Sequence, residues 1–195
     1  VVRYKTDHKA ETRQRIIEQA GRRLKRDGVD RSGIVSLMAD AGLTNGAFYA
    51  HFSSKDDLIA TVVADQLQRQ RERNWSGELD RASFECFVRD YLSPAHRDHP
   101  EEGCPSAALL DDIARSGDAV RQSYTVGMLA MSDDVAKLLA EPDPIRARSV
   151  ALSVFASMAG TLQVARAISD DQLSRDLLDQ GIANVLLLLD RSAPD

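Results

Sequence analysis

The sequence predicts an all-α fold of about nine helices, on three observations. Nearly every segment between Gly or Pro breaks repeats its apolar residues at three- and four-residue steps. No run alternates apolar and polar residues as a half-buried strand requires. Residues 28–58, GVDRSGIVSLMADAGLTNGAFYAHFSSKDDL, compress two short helices around one glycine. There the stripe Ile34, Leu37, Met38 and Ala41 runs into Gly42, which is free to take the left-handed conformation that ends a helix. A second short helix begins at Thr44 or Asn45 and shows small and polar groups. It closes in the aromatic-basic cluster Phe48, Tyr49, His51, Phe52 and Lys55.

The elements follow in order. Residues 7–27 form the first helix, on Ile16, Ile17, Ala20 and Leu24, with Asp7 as its expected start cap and Gly28 as its end. The helix pair comes next. A longer helix starts at Ser53 or Ser54, carries Leu58, Ile59, Val62, Val63 and Leu67, and reaches towards Trp75. Serine and the early Asp56 and Asp57 complement the free amides and positive end of that helix. Ser76-Gly77 is the first boundary. Residues 79–93 are helical until Pro94, and 95–103 (AHRDHPEEG) read as a polar loop. Cys104-Pro105 opens a helix through about Arg115, since proline is tolerated in a first turn. A helix over 118–140 ends before Pro142 and Pro144. Two long helices, 145–168 and 171–190, finish the chain, both apolar on more than one face. The chain thus divides into a three-helix head (1–54), a connecting helix (55–76) and a helical body (77–195).

Composition narrows the function. Of 195 residues, 43% are hydrophobic and 28% charged, as in a globular protein with a buried core. No apolar run looks long enough to span a bilayer, so no membrane partner is expected. The first residues lack the apolar centre of a secretory signal. Two cysteines, Cys86 and Cys104, make a poor disulfide framework and favour a reducing cytoplasm. The net charge of −5 is unevenly spread. Residues 1–60 hold 11 Lys and Arg against 8 Asp and Glu, a net +3; the remainder holds 14 against 22, a net −8. A basic head on an acidic body suits an anionic partner at one end. Neither a Gly-rich phosphate loop nor a nucleophile–base pair is present, so neither an enzyme nor a cofactor is expected. His96, Asp98, His99 and Cys104 cluster in sequence but span a proline without a recognised ligand spacing, so no metal site is expected.

Two short helices about a tight glycine turn are the helix-turn-helix pattern, whose second helix is thin enough for a DNA major groove. The residues that carry this pattern are Thr12-Arg13, Ile16-Ile17, Gly28, Leu37, Ala41-Gly42-Leu43-Thr44, Asn45-Gly46, Phe48-Tyr49, His51-Phe52, Ser54-Lys55 and Leu58. In this register, residues 9–58 resemble the DNA-binding domain of the tetracycline-repressor (TetR) family of bacterial transcriptional regulators. Gly33 departs from it where a Ser or Thr cap is usual, and Met38 where a small alanine is common.

Each position has its own physical role. Thr44 caps the recognition helix and reaches a phosphate or base edge. Gly46 and Ala47 let the helix backbone approach the bases, and Ala47 suits a thymine methyl. Asn45 suits base edges or a phosphate. Tyr49 and His51 offer hydrogen bonds to phosphates, and Lys55 adds charge beside free amides. Ser32, ahead of the supporting helix, is a further backbone contact. Phe48 and Phe52 hold the three helices together. One such helix reads too few base pairs for specificity, so the expected partner is double-stranded DNA with an inverted repeat, bound by a homodimer.

The last two helices are the expected dimer seam, through Ala151, Leu152, Val154, Phe155, Ala156, Met158 and Ala159 with Ile182, Val185, Leu186 and Leu189. Gly160 permits close approach there. The resemblance implies a four-helix bundle across a two-fold axis, and a ligand pocket in the body. Its expected lining is Phe87, Tyr91, Cys104, Leu109, Ile113, Tyr124, Met128, Phe155 and Leu162. The function implied is a ligand-responsive regulator, a repressor released by a small-molecule effector. Two alternatives stay open: a helical interaction module that does not bind DNA, and a regulator sensing electrophiles or oxidants through Cys104 at a helix start.

Overall fold

The computed structural model describes residues 2–75, 79–139 and 141–190, which are helical with no strand among them. Helix α1 (Val2–Asp27) stops at Gly28, whose φ of +82° is open to glycine alone at little strain. It starts earlier than the sequence suggests, because neither Gly nor Pro precedes Asp7 to break it; Asp7 is therefore inside the helix rather than its cap. Helix α2 (Ile34–Asp40) runs into Gly42 at φ +69°, and Leu43 N–H closes the turn on Met38 O at 2.9 Å. A 3-10 helix, Asn45–Ala50, follows. Helix α3 (Lys55–Asn74) is capped by Ser54 Oγ, which accepts from Asp57 N–H at 3.0 Å, while the Asp57 carboxylate takes Ser53 N–H at 2.8 Å.

The body holds α4 (Arg81–Tyr91), α5 (Pro94–Asp98), α6 (Pro105–Arg115), α7 (Asp118–Ala136), α8 (Pro144–Ala167) and α9 (Asp171–Asp190). Residues 95–103 are not the expected loop: α5 and a 3-10 turn, Pro100–Glu102, occupy most of them. Pro94 opens a helix as well as ending one. It sits in a first turn, where its missing N–H is no loss, and Ser93 Oγ caps that turn from His96 N–H at 3.2 Å. The expected boundary at Ser76-Gly77 lies outside the described residues.

One apolar core runs from Ile16 in α1 to Leu189 in α9. Helix α3 belongs to both halves. Leu58, Ile59, Val62 and Val63 complete the head, and Leu67 meets α7 at Gly127. A Cβ on Gly127 would lie 2.6 Å from Leu67 Cδ1, so only glycine allows this approach. Arg71 and Asp134 pair further along the same contact. In the body, the half-buried Arg166 donates to the carbonyls of Arg97 (3.0 Å), His96 (2.7 Å) and Ala107 (2.5 Å), tying α5 and α6 to α8.

The expected seam is corrected in its residues. Ala151, Val154, Phe155, Met158, Ala159, Val185 and Leu189 are buried in the protomer's own core, and Ile182 and Leu186 are half-buried. Helices apolar on two faces do not reveal which face turns inward. The outward face carries Leu152, Ala156, Gly160 and Val164 on α8, with Leu173 and Leu187 on α9; Val164 is 54% and Leu173 56% exposed. A Cβ on Gly160 would meet nothing within 4 Å. These two apolar faces also make α8 long and apolar enough to cross a bilayer by length and composition, which corrects the expectation that no run is. Within the fold its inner face is packed in the core.

Gly127→Val is expected to lower stability by about 1–3 kcal/mol by forcing α3 and α7 apart. Urea denaturation followed by circular dichroism measures it.

Candidate nucleic-acid interface and effector cavity

The 3-10 helix stands on the head with one side inside and one side bare. Phe48 and Phe52 are buried with ring centroids 5.8 Å apart, and the Arg13 guanidinium lies 4.8 Å over the Phe52 ring. This packing fixes the element against α1 and α2. On its other side Thr44, Asn45 and Gly46 are exposed, and Ala47 is half-buried. Thr44 precedes the helix with extended backbone but makes no side-chain cap hydrogen bond, so its hydroxyl is not used as expected. Gly46 has no positive φ, and a Cβ there would meet nothing within 4 Å. Neither its conformation nor its packing within the chain requires glycine. What its bareness provides is access from outside.

Tyr49 is 69% exposed, with its ring edge on Phe48 at 5.2 Å. His51 is half-buried with Nδ1 unpartnered, and burial, then Lys9 and Arg13, lower its pKa. That electrostatic influence places Lys9 and Arg13 beside the exposed element. Both lie on α1, one turn apart, and form no ion pair among the described residues. Neither is among the contacts expected from sequence. Their signal is a like-charge pair at i, i+4 with no acid on that face, which costs helix stability unless an anion is near.

Two expected contacts have internal partners. Ser32 is 0% exposed, and its hydroxyl donates to Gly28 O at 2.7 Å. It closes the turn after α1, which corrects its assignment as a phosphate contact. Lys55 Nζ donates to Val29 O at 2.7 Å and is half-buried, so it ties α3 to that turn; two of its three N–H donors stay open for a phosphate.

The expected pocket residues separate into two groups. Phe87, Tyr91 and Cys104 wall a cavity of about 390 Å³, together with Gln70, Arg73 and Asn74 of α3. Phe155 backs it, its ring 6.4 Å from that of Phe87. Leu109, Ile113, Met128 and Leu162 are core side chains that do not line it, and Tyr124 donates to Ser106 Oγ at 3.1 Å. Those five are corrected to packing roles, because helical spacing marks burial without distinguishing core from cavity wall. Tyr91 is buried enough to raise its phenol pKa well above the usual range. His96 Nδ1 faces Tyr91 O at 2.8 Å, and its Nε2 takes Cys104 N–H at 3.1 Å. The ring is thereby held in one neutral tautomer, and burial lowers its pKa. Cys104 is buried at the start of α6.

Gln70 and Asn74 are absent from the lining expected from sequence, though a signal exists. They continue the buried stripe Ile59, Val63, Leu67 at helical spacing, with polar groups where apolar ones belong. A second cleft, about 580 Å³ between α1, α3 and the 3-10 turn, shares Gln70, Arg73, Glu102 and Gly103 with the cavity. It also exposes the head's link to the body. Lys25 of α1 donates to Gly103 O at 2.7 Å, and Val29 N–H donates to Asp112 of α6 at 3.2 Å.

A bare recognition element on a three-helix head, above a helical body with a cavity, defines a helix-turn-helix protein with a helical second domain. Residues 16–62 match the family described as "Bacterial regulatory proteins, tetR family". Over 63 residues the chain is 36% identical to the HTH-type transcriptional regulator TtgR of Pseudomonas putida, and this stretch spans 32% of this chain and only 30% of TtgR. The fold of the remainder agrees. A TetR transcriptional regulator from Chloroflexus aurantiacus superposes with a TM-score of 0.75 at 20% identity, over 95% of this chain and 98% of that one. The transcriptional regulator FadR of Bacillus subtilis, in complex with stearoyl-CoA, does so with a TM-score of 0.69 at 14% identity, over 90% and 97%. The family match covers residues 16–62, and over the rest of the chain the likeness is one of fold.

Two outcomes are expected from these placements. Ser32→Ala is expected to cost about 1 kcal/mol in chemical denaturation, through the lost internal hydrogen bond. Burial lowers the Lys25 pKa to about 8 from 10.5, so the unfolded chain binds more protons between those values and stability rises with pH across that window. The wild type is therefore expected to gain roughly 2 kcal/mol on Lys25→Met between pH 7 and pH 10, measured as the difference between paired denaturation curves.

Proposed function

We propose that this chain is a homodimeric, ligand-responsive DNA-binding regulator acting in the cytoplasm. It is a repressor that holds an inverted-repeat operator and is released by a small-molecule effector. The observation that carries the reading is the bareness of Thr44–Ala47. The element is fixed from behind by Phe48 and Phe52, and nothing among the described residues covers its front. Thr44, Asn45 and Ala47 face base edges there, and Gly46 lets the backbone approach. Tyr49, His51, Lys55, Lys9 and Arg13 supply phosphate contacts around them.

The outward stripe Leu152, Ala156, Gly160 and Val164 supports the dimer, since small residues between large ones let two helices pack closely. The domain limits 1–54, 55–76 and 77–195 fit this division of labour, with α3 as the connection. The cavity behind Phe87 and Tyr91 supports an effector, and FadR of Bacillus subtilis, of the same fold, holds stearoyl-CoA. Release is a population shift. A ligand that prefers one spread of the two heads lowers DNA affinity by its differential affinity for the two states.

Selection from random duplexes followed by fluorescence anisotropy tests the reading. An inverted repeat is expected to emerge, with affinity falling steeply as salt rises. Gly46→Leu is expected to keep the thermal midpoint and weaken binding by about tenfold or more, as one lost base-edge approach costs about 1–3 kcal/mol. Unchanged affinity in Gly46→Leu, or no duplex preference at all, contradicts the proposal.

A further inference from the structure

Four polar groups lie where the two clefts meet, with fewer partners than they can hold. Lys25 is a buried ammonium whose single hydrogen-bond acceptor among the described residues is the Gly103 carbonyl; Arg73 and Arg22 crowd it with like charge. The carboxylate that acts on it, Glu101, lies 3.5 Å from His99. Arg73 has no carboxylate partner among the described residues, although the other arginines of the cleft do. Arg22 has Glu102 at 3.6 Å, and Arg69 has Glu18 and Asp65, each at 3.0 Å. Gln70 is only 7% exposed and its amide oxygen has no partner. Asn74 Nδ2, one turn further along α3, is a buried donor without an acceptor.

Arg73 and an amide N–H thus lack acceptors around one junction, Lys25 has one acceptor for three donors, and Gln70 can turn its own N–H₂ towards the same point. A carboxylate has about four acceptor sites and satisfies all of them. Beyond the junction the cavity offers Phe87 and Tyr91 as apolar wall. Asp90 on α4 and Glu102 on the 3-10 turn line the cavity as well, and disfavour a second negative charge.

We propose that this junction binds a small organic monocarboxylate, with the acid group between Lys25 and Arg73 and the carbon skeleton against Phe87 and Tyr91. The inference gives a ligand class to the effector cavity and so rests on the reading of the chain as a ligand-responsive regulator. Its position also supplies the coupling. The carboxylate takes donors that the Lys25 ammonium leaves open beside its hydrogen bond to Gly103 O, and that hydrogen bond links α1 of the head to the body. A ligand seated there bears on the link, and any difference in its affinity for two settings of the head shifts their populations.

Isothermal titration of the full chain with octanoate and benzoate tests the site, with octanamide, benzamide and the dicarboxylate suberate as comparisons. An acid is expected to bind about ten- to hundredfold more tightly than its amide and than suberate. Arg73→Gln is expected to weaken acid binding far more than amide binding and so to remove that preference, and Arg73→Lys to restore part of it. Arg73 is exposed, so neither variant threatens the core. Equal binding of acid and amide, no binding of either acid, or an unaffected Arg73→Gln overturns the proposal. Anisotropy on the selected duplex separates the two readings. DNA binding without carboxylate binding sinks this inference alone, whereas carboxylate binding without DNA binding upholds the site and contradicts the regulator.

Discussion

Helix α3 cannot move without moving both halves of the protein. Its first turns are core to the head, through Leu58, Ile59, Val62 and Val63; its later turns lie against α7 at a contact only glycine permits. The Arg71–Asp134 pair adds a directional tie to that contact. Close-packed interfaces of this kind shift between discrete arrangements and do not deform gradually. The orientation of the bare 3-10 element is therefore a property of the body as much as of the head. Lys25 of α1 and Val29 in the turn after it add two more ties to the body, at Gly103 and Asp112. Any device that changes the cleft between α1, α3 and the Pro100–Glu102 turn acts on the direction in which Thr44–Ala47 point.

The head's charge distribution follows a consistent logic. Three of its acidic residues are paired with arginines outside the 3-10 helix: Asp27 and Asp40 with Arg23, Glu18 with Arg69. Lys9 and Arg13, beside His51, form no ion pair among the described residues, although Arg13 acts on the Asp57 carboxylate. The net charge of −5 therefore conceals a local field of opposite sign, and local field governs encounter with an anionic polymer.

Much of this is legible in sequence, where a position has only one physical use. Gly28 and Gly42 stand at the two positive-φ turns, Ser54 caps α3, and Phe48 and Phe52 are buried as their spacing implies. Legibility fails where one residue type serves two purposes. Ser32 has the same appearance whether its hydroxyl faces a phosphate or a carbonyl. Alanine- and leucine-rich α8 and α9 give no sign of which apolar face is internal, so the expected seam mixes core residues with surface ones. Gln70 and Asn74 are exceptions in a stripe, and a pattern built on apolar residues alone stops short of them at Leu67.

Hydroxyl-radical footprinting of the selected duplex, bound by the wild-type chain, is the most direct test of the claim that Thr44–Ala47 form a DNA-reading surface presented twice by a symmetric particle. The account predicts two protected backbone patches on one face of the duplex, centred about one helical turn or a multiple of it apart and related by the repeat's own symmetry. A single patch, or protection spread evenly along the backbone without regard to sequence, would contradict it.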